Sequence, residues 1–191
     1  YGFSLGLLLM EILNEDAEPS ETWKIYHREI LERLATETNL ATDLLEKESR
    51  AKPGLLTDFF RSLRKDKIPS GYEIRNQITT IIRGLAIEGH AIIIGQGGAG
   101  ATHDLTNGLW VRLEAPEDWR VREVALREGL SEVKARKSVQ ERESDRDYLR
   151  KIYDRRFPRQ PAYHIVYDCS VFSLAQIAQH IVQAMRMKSM V

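Results

Sequence analysis

The sequence predicts an α/β fold on a parallel sheet, and three observations carry that expectation. His90-Ala91-Ile92-Ile93-Ile94-Gly95 is a nearly continuous apolar run bounded by glycine, as in a strand covered on both faces of a parallel sheet. Ser70-Gly71-Tyr72-Glu73 and Ser173-Leu174-Ala175-Gln176 both have the capping-box pattern. In it a hydroxyl and a carboxylate or amide satisfy free backbone N–H groups at a helix start. Strand-like and helix-like segments then alternate along the chain, which is the signature of strands joined by helical crossovers.

Each element has a local reason. Ser4 to Leu13 is leucine-rich and reads as a buried helix, with Ser4 as its N-cap. Asn14 to Glu21 is a loop, and Trp23 to Tyr26 a brief extended piece. Glu29 to Ala35 sets Ile30, Leu31, Leu34 and Ala35 on one helical face. Leu40 to Lys65 is polar and partly helical, broken at Pro53-Gly54. The helix opened at Ser70 carries Ile74, Ile78, Ile81, Ile82, Leu85 and Ala86, and Gly89 stops it. After the His90–Gly95 strand come a second strand over Leu109–Glu114, and a helix with Pro116 at its start and Gly129 at its end. Ser131 caps the next helix, Tyr163–Asp168 is a third strand, and Ile177, Ile181, Ala184 and Met185 line the last helix.

The chain has 191 residues, which suits a single domain over 1–191. Its 28 Lys and Arg balance 28 Asp and Glu, which argues against a surface built for a nucleic-acid polymer or an anionic membrane. The one cysteine, Cys169, excludes an internal disulfide and a multi-cysteine zinc site, and fits a reducing, cytoplasmic compartment. Cys169 is expected to be buried at a strand end, where nothing supports a nucleophilic role. The longest apolar run, Leu5 to Met10, falls far short of the ~20 residues that span a bilayer. The chain opens on Tyr1-Gly2, not on Met, and a further first strand is expected ahead of it.

The neutral total hides a basic segment. Between Val133 and Gln160 lie ten Lys and Arg against five Asp and Glu, a local charge of +5. Arg142, Arg146 and Arg150 recur at i, i+4, i+8 and would line one helical face, with guanidinium forks suited to phosphate oxygens. The plainer reading is a solvated helix laced with ion pairs such as Glu143–Arg146 and Asp147–Lys151. Gly95-Gln96-Gly97-Gly98-Ala99-Gly100 matches the dinucleotide G-x-G-x-x-G, but that motif must open a long crossover helix, and the next strand follows too soon. Glycines that let the chain turn at the strand's end explain it as well. No Walker A motif is present, although Gly2 to Gly6 puts small residues where a phosphate could meet backbone N–H groups. His27, His90, His103, His164 and His180 show neither metal-ligand spacing nor a triad pattern.

Taken in order, these features resemble the cytidylate kinase-like family of P-loop phosphotransferases. Tyr1-Gly2-Phe3-Ser4-Leu5-Gly6 is similar to a degenerate form of that family's glycine-rich phosphate loop. Tyr26-His27-Arg28-Glu29-Ile30 resembles its Y-D-R-E-I, and Ile94-Gly95-Gln96-Gly97 its strand ending in G-R-G. Ala115 to Arg120 resembles A-P-x-x-x-R, Arg142 to Tyr153 an arginine-rich lid, and Tyr163 to Ser170 the last strand. The resemblance implies a three-layer P-loop NTPase-like parallel sheet flanked by helices, with a helical lid over about 133–160. It implies transfer of a phosphoryl group from ATP, with Mg2+, to a nucleoside monophosphate or a similar small acceptor. Gly2, Ser4 and Gly6 would bind the donor's phosphates, with Ser4 also on Mg2+. Arg28, Gln96 and Gly97 would bind the acceptor, and Arg142, Arg146 and Arg150 would close over the transferring group. Nucleotides are the implied partners, no polymer or membrane is, and a homodimer is left open.

Four features depart from the family pattern, one being His27 where the family commonly has Asp. The first loop has no Lys, Leu5 stands where a glycine would approach the phosphate, and Gln96 replaces an arginine with a neutral amide. Losing two cationic contacts of ~1.5–3 kcal/mol each weakens nucleotide binding by one to several powers of ten. The alternative is therefore a catalytically inactive nucleotide-binding or structural domain on the same fold.

Overall fold

The computed structural model describes residues 1–30, 71–154 and 162–191, with side chains at 76–144 within the middle stretch. The helix expected at 29–35, the 40–65 segment and the cap residue Ser70 therefore lie wholly or partly outside the described residues. The chain divides into two compact units, one of residues 13–108 and one of residues 1–12 with 109–191. Both are mixtures of helix with a small parallel sheet.

In the 13–108 unit, β1 (Lys24–Tyr26) pairs in parallel with β2 (Ala91–Ile93), with Tyr26 opposite Ile93. The Ile94 N–H donates to the Tyr26 carbonyl at 2.8 Å and carries the ladder one step past β2. Between them runs α2 (Gly71–Glu88), whose Ile81 and Ile82 are fully buried beside Leu85. It ends as expected, because Gly89 takes φ 87 and donates its N–H to Leu85 O at 3.1 Å. The β2 residues are half-buried and not fully covered. Among the described residues β2 pairs only with β1, and an apolar run alone does not reveal how many neighbours a strand has. Asn14 fixes the approach to β1. Its Oδ1 accepts the Trp23 N–H at 2.7 Å and its Nδ2 donates to the Trp23 carbonyl at 3.0 Å, so one side chain does the work of a neighbouring strand.

After β2 the chain makes α3 (Gly98–Ala101), a single turn. A dinucleotide fingerprint needs a long helix there, so the G-x-G-x-x-G at Gly95–Gly100 is the turn of the plainer reading.

The other unit contains most of α1 (Gly2–Asn14), then β3 (Val111–Glu114), α4 (Glu117–Glu128), α5 (Glu132–Asp154), β4 (Ile165–Asp168) and α6 (Leu174–Met187). β3 and β4 are parallel, with Val111 opposite Ile165 and Glu114 opposite Asp168. The helices α4 and α5 pack through Val121, Val124, Ala135 and Val139. Gly129 closes α4 in the left-handed conformation, φ 62, returning its N–H to Ala125 O. Ser173 caps α6 with the full reciprocal box: its hydroxyl accepts the Gln176 N–H at 3.3 Å, and Gln176 Oε1 accepts the Ser173 N–H at 2.9 Å. Ile177, Ala178, Ile181, Val182 and Met185 form the buried stripe of α6. No helix among the described residues is long and apolar enough to cross a membrane.

Candidate functional site

β1 and β2 deliver two segments past the same carboxyl edge. Arg28, exposed, begins a helical stretch two residues beyond β1. Gly95, Gln96 and Gly97 form the turn beyond β2, and all three are left-handed, with φ of 70, 54 and 72. All three expected acceptor residues, Arg28, Gln96 and Gly97, therefore follow the same end of one parallel pair. Glycine tolerates this backbone freely, whereas the glutamine carries a cost of roughly 1–2 kcal/mol. A Cβ on Gly95 would meet no atom within 4 Å, so its backbone angle and not crowding is what calls for glycine there. Gly98 is different, because a Cβ there would lie 3.1 Å from Ile93 Cγ2.

The turn is braced from α2. Arg83 Nη1 donates to Ala101 O at 2.7 Å and to Asp104 Oδ1 at 2.6 Å, while Nη2 donates to Asp104 Oδ2 at 3.1 Å. Further along the chain and apart from this brace, Asn107 Nδ2 donates to Ala86 O at 2.8 Å. Sequence reading missed this brace. Its one signal is an arginine set inside the apolar stretch Ile81-Ile82-Arg83-Gly84-Leu85, where a buried stem needs a partner for its head.

In the other unit, the segment expected as a phosphate-cradling loop is helical. α1 begins at Gly2, two residues ahead of the expected Ser4 cap, and Leu5 N–H already bonds Tyr1 O at 2.8 Å. Ser4 is exposed in the first turn, and Gly6 is buried in the second. The leucine-rich stretch favours helix, and Tyr1 is anchored. Its ring meets Trp119 edge-on at 5.0 Å, and its hydroxyl donates to Glu123 Oε2 at 2.9 Å. Burial, followed by the bond to Glu123, pushes the Tyr1 phenol above its ordinary value.

The basic helix α5 is real, and its described part is ion-paired. Arg142 Nη1 and Nη2 reach Glu128 Oε1 and Oε2 at 3.1 and 3.0 Å. Arg142, followed by Arg127, holds the Glu128 carboxyl below the usual carboxylate range. Glu143 reaches across to Arg120 of α4, and the pair expected along its own helix with Arg146 lies outside the described residues. Arg136 bridges Asp118 and Glu132 at 2.9 and 3.2 Å. The backbone of α5 carries Arg146 and Arg150 one and two turns past Arg142, but their side chains lie outside the described residues, as does 155–160 of the expected lid. The i, i+4, i+8 spacing thus falls on a helix, as expected.

Cys169 is buried, as its position at the end of β4 suggested, and burial raises its thiol above the ordinary value. An uncharged thiol is a poor nucleophile. Among the described residues no three His, Cys, Asp or Glu gather where they could hold a metal ion.

The chain matches the model of the cytidylate kinase-like family over residues 22–171. That span takes in Arg28, Gln96, Gly97, Arg142, Arg146 and Arg150, and begins after Gly2, Ser4 and Gly6. Among solved structures it is similar to an uncharacterized protein from Eubacterium ventriosum, with TM-score 0.64 at 16% identity, covering 95% of this chain and 92% of that one. No curated protein matches the chain.

Proposed function

From the chain's membership of the cytidylate kinase-like family, we propose that it moves a phosphoryl group from ATP to a nucleoside monophosphate or a similar small acceptor. The fold this reading takes is the three-layer P-loop NTPase-like arrangement, working as one domain in a reducing, cytoplasmic setting. One observation carries it: Arg28, Gln96 and Gly97 follow neighbouring parallel strands past the same carboxyl edge. Open α/β sheets take their ligands at that edge.

Arg28 supplies the acceptor's phosphate with a planar, permanently charged donor fork. Gly97 lets the acceptor approach the backbone, and Gln96 offers an amide that can both donate and accept. An acceptor oxygen bonds to the γ-phosphorus, the bond from that phosphorus to the bridging oxygen breaks, and ADP leaves. Arg142, Arg146 and Arg150 meet the charge that spreads over the transferring group, where one well-placed arginine is worth ~10³–10⁵-fold. Arg142 can leave Glu128 for this task, because an exposed ion pair contributes only about 0–1 kcal/mol whereas a charge-assisted bond to phosphate contributes ~1.5–3 kcal/mol. The donor's phosphates are assigned to the first turn of α1, at Gly2 and Ser4, where the helix dipole favours anions. Gly6, assigned to the phosphates with them, lies a turn further in and is buried. Mg2+ keeps several waters and binds through substrate phosphates with one or two protein oxygens, and the Ser4 hydroxyl is the oxygen assigned to it. When bound it neutralises phosphate charge.

A nucleotide panel read by thermal shift, with ADP formation followed in parallel, tests this. ATP with cytidine monophosphate or another monophosphate should raise the melting temperature and yield ADP, and Arg28→Ala should remove the monophosphate's share. Absence of any ATP effect at millimolar concentration sinks the kinase reading. The neutral Gln96 favours the second reading, a catalytically inactive nucleotide-binding or structural domain, whose mark is nucleotide binding without ADP formation.

A further inference from the structure

α3 has one turn, too short to hold itself. Isolated helices below about 12 residues are marginal in water because nucleation costs more than a few bonds return. It nevertheless follows directly on three left-handed residues, Gly95, Gln96 and Gly97, the second of which resists that conformation. Inside the turn the Gly98 N–H bonds Gly95 O at 2.9 Å, Ala101 N–H bonds Gly97 O at 2.8 Å, and the Thr102 N–H and hydroxyl both bond Gly98 O, at 3.1 and 2.9 Å. Arg83 ties this assembly to the 18-residue α2. Its Nη1 caps the Ala101 carbonyl at α3's last turn, an acceptor no helix of this length can satisfy from within. The same guanidinium chelates Asp104 with two nitrogens, and only 15% of the Arg83 side chain is exposed. A lysine could not make these three bonds from one plane.

We infer that Arg83 is the positioning residue of the acceptor site: it acts through Ala101 and Asp104 to hold the Gly95–Gly97 turn beside Arg28. This rests on the phosphotransfer reading for its kinetic consequence, but not for its structural one. Arg83 lies twelve residues ahead of the turn, and these three bonds go to the segment just after it. Asn107, which ties the same segment to Ala86 O further from the turn, is the natural control.

The test compares Arg83→Met, Arg83→Lys, Asp104→Asn and Asn107→Ala in the full chain. Amide hydrogen exchange is read at Gly98, Ala101 and Thr102, and transfer kinetics with cytidine monophosphate and ATP are read in parallel. Arg83→Met should speed exchange at those three amides at least tenfold while leaving the α4 and α6 amides unchanged. It should raise the acceptor KM tenfold or more, with kcat at saturating acceptor and the ATP KM within about twofold. Arg83→Lys should recover part of the KM, Asp104→Asn should give an intermediate loss, and Asn107→Ala should leave the acceptor KM near wild type. If Arg83→Met does not fold, Arg83→Lys and Asp104→Asn carry the same comparison. Unchanged exchange at the three amides overturns the inference whatever the activity, as does a fall in kcat with both KM values moving together. If the wild type transfers no phosphate yet exchange responds as stated, the phosphotransfer reading fails and the positioning role stands.

Discussion

Glu128, the last residue of α4, grips Arg142 of α5 at two points, 3.1 and 3.0 Å, so the first arginine of the Arg142, Arg146, Arg150 row is already occupied by a carboxylate. The pair lies at the surface, with 45% of the Arg142 side chain and 30% of the Glu128 side chain exposed. It is a latch of small strength, which a phosphate can outcompete.

That gives the first prediction. Arg142→Ala should cut kcat/KM for phosphoryl transfer at least a hundredfold while lowering stability by no more than about 1 kcal/mol. Glu128→Gln should leave transfer intact or improve nucleotide affinity a few-fold, since it frees the arginine. The pair also sets a pH dependence. The folded Glu128 carboxyl sits below its usual value because of Arg142, so its contribution is present above the ordinary carboxylate range. It is lost as pH falls through the lowered folded value. Acid unfolding of wild type and E128Q should therefore converge only at low pH, and equal stabilities near neutrality would show that the latch contributes nothing.

Gln96 gives the second. Its left-handed backbone costs roughly 1–2 kcal/mol, partly offset in a glycine by ~0.5–1 kcal/mol of chain entropy. Gln96→Gly should thus stabilise the protein slightly. Gln96→Arg leaves the strain and adds a charge, so the acceptor KM for a monophosphate should fall tenfold or more, as a charge-assisted bond of ~1.5–3 kcal/mol requires. Chemical denaturation and steady-state kinetics on the two variants separate the effects, and a Gln96→Arg variant with unchanged KM would place the acceptor's phosphate elsewhere.

Ser173 gives a prediction about stability alone. Its capping box opens α6, whose buried stripe is part of the core of its unit. Ser173→Ala should cost about 1 kcal/mol in denaturant unfolding and leave nucleotide binding untouched. A loss of binding there would mean that α6 is tied to the site.

Local chemistry made much of this protein legible in the sequence. The caps at Ser173, Gly89 and Gly129, the strands at Lys24, Ala91, Val111 and Ile165, and the helical run through Arg142 all follow from side-chain spacing and backbone freedom within a few residues. So did the turn at Gly95–Gly97, because two glycines around one glutamine have few other uses at a strand's end. What the sequence left undecided depends on groups distant along the chain. A start such as Gly2–Gly6, with two glycines ahead of a leucine run, can be loop or helix, and the anchoring of Tyr1 on Trp119 and Glu123 belongs to the helical outcome. Glu143 meets Arg120 because α4 packs against α5 through Val121 and Val139, which spacing along one helix does not disclose. Arg83 reads as an interruption of an apolar stripe until the chain brings Ala101 and Asp104 within 2.7 Å of it. Periodicity records what one element needs, whereas an ion pair between residues 21 apart depends on where packing has put both.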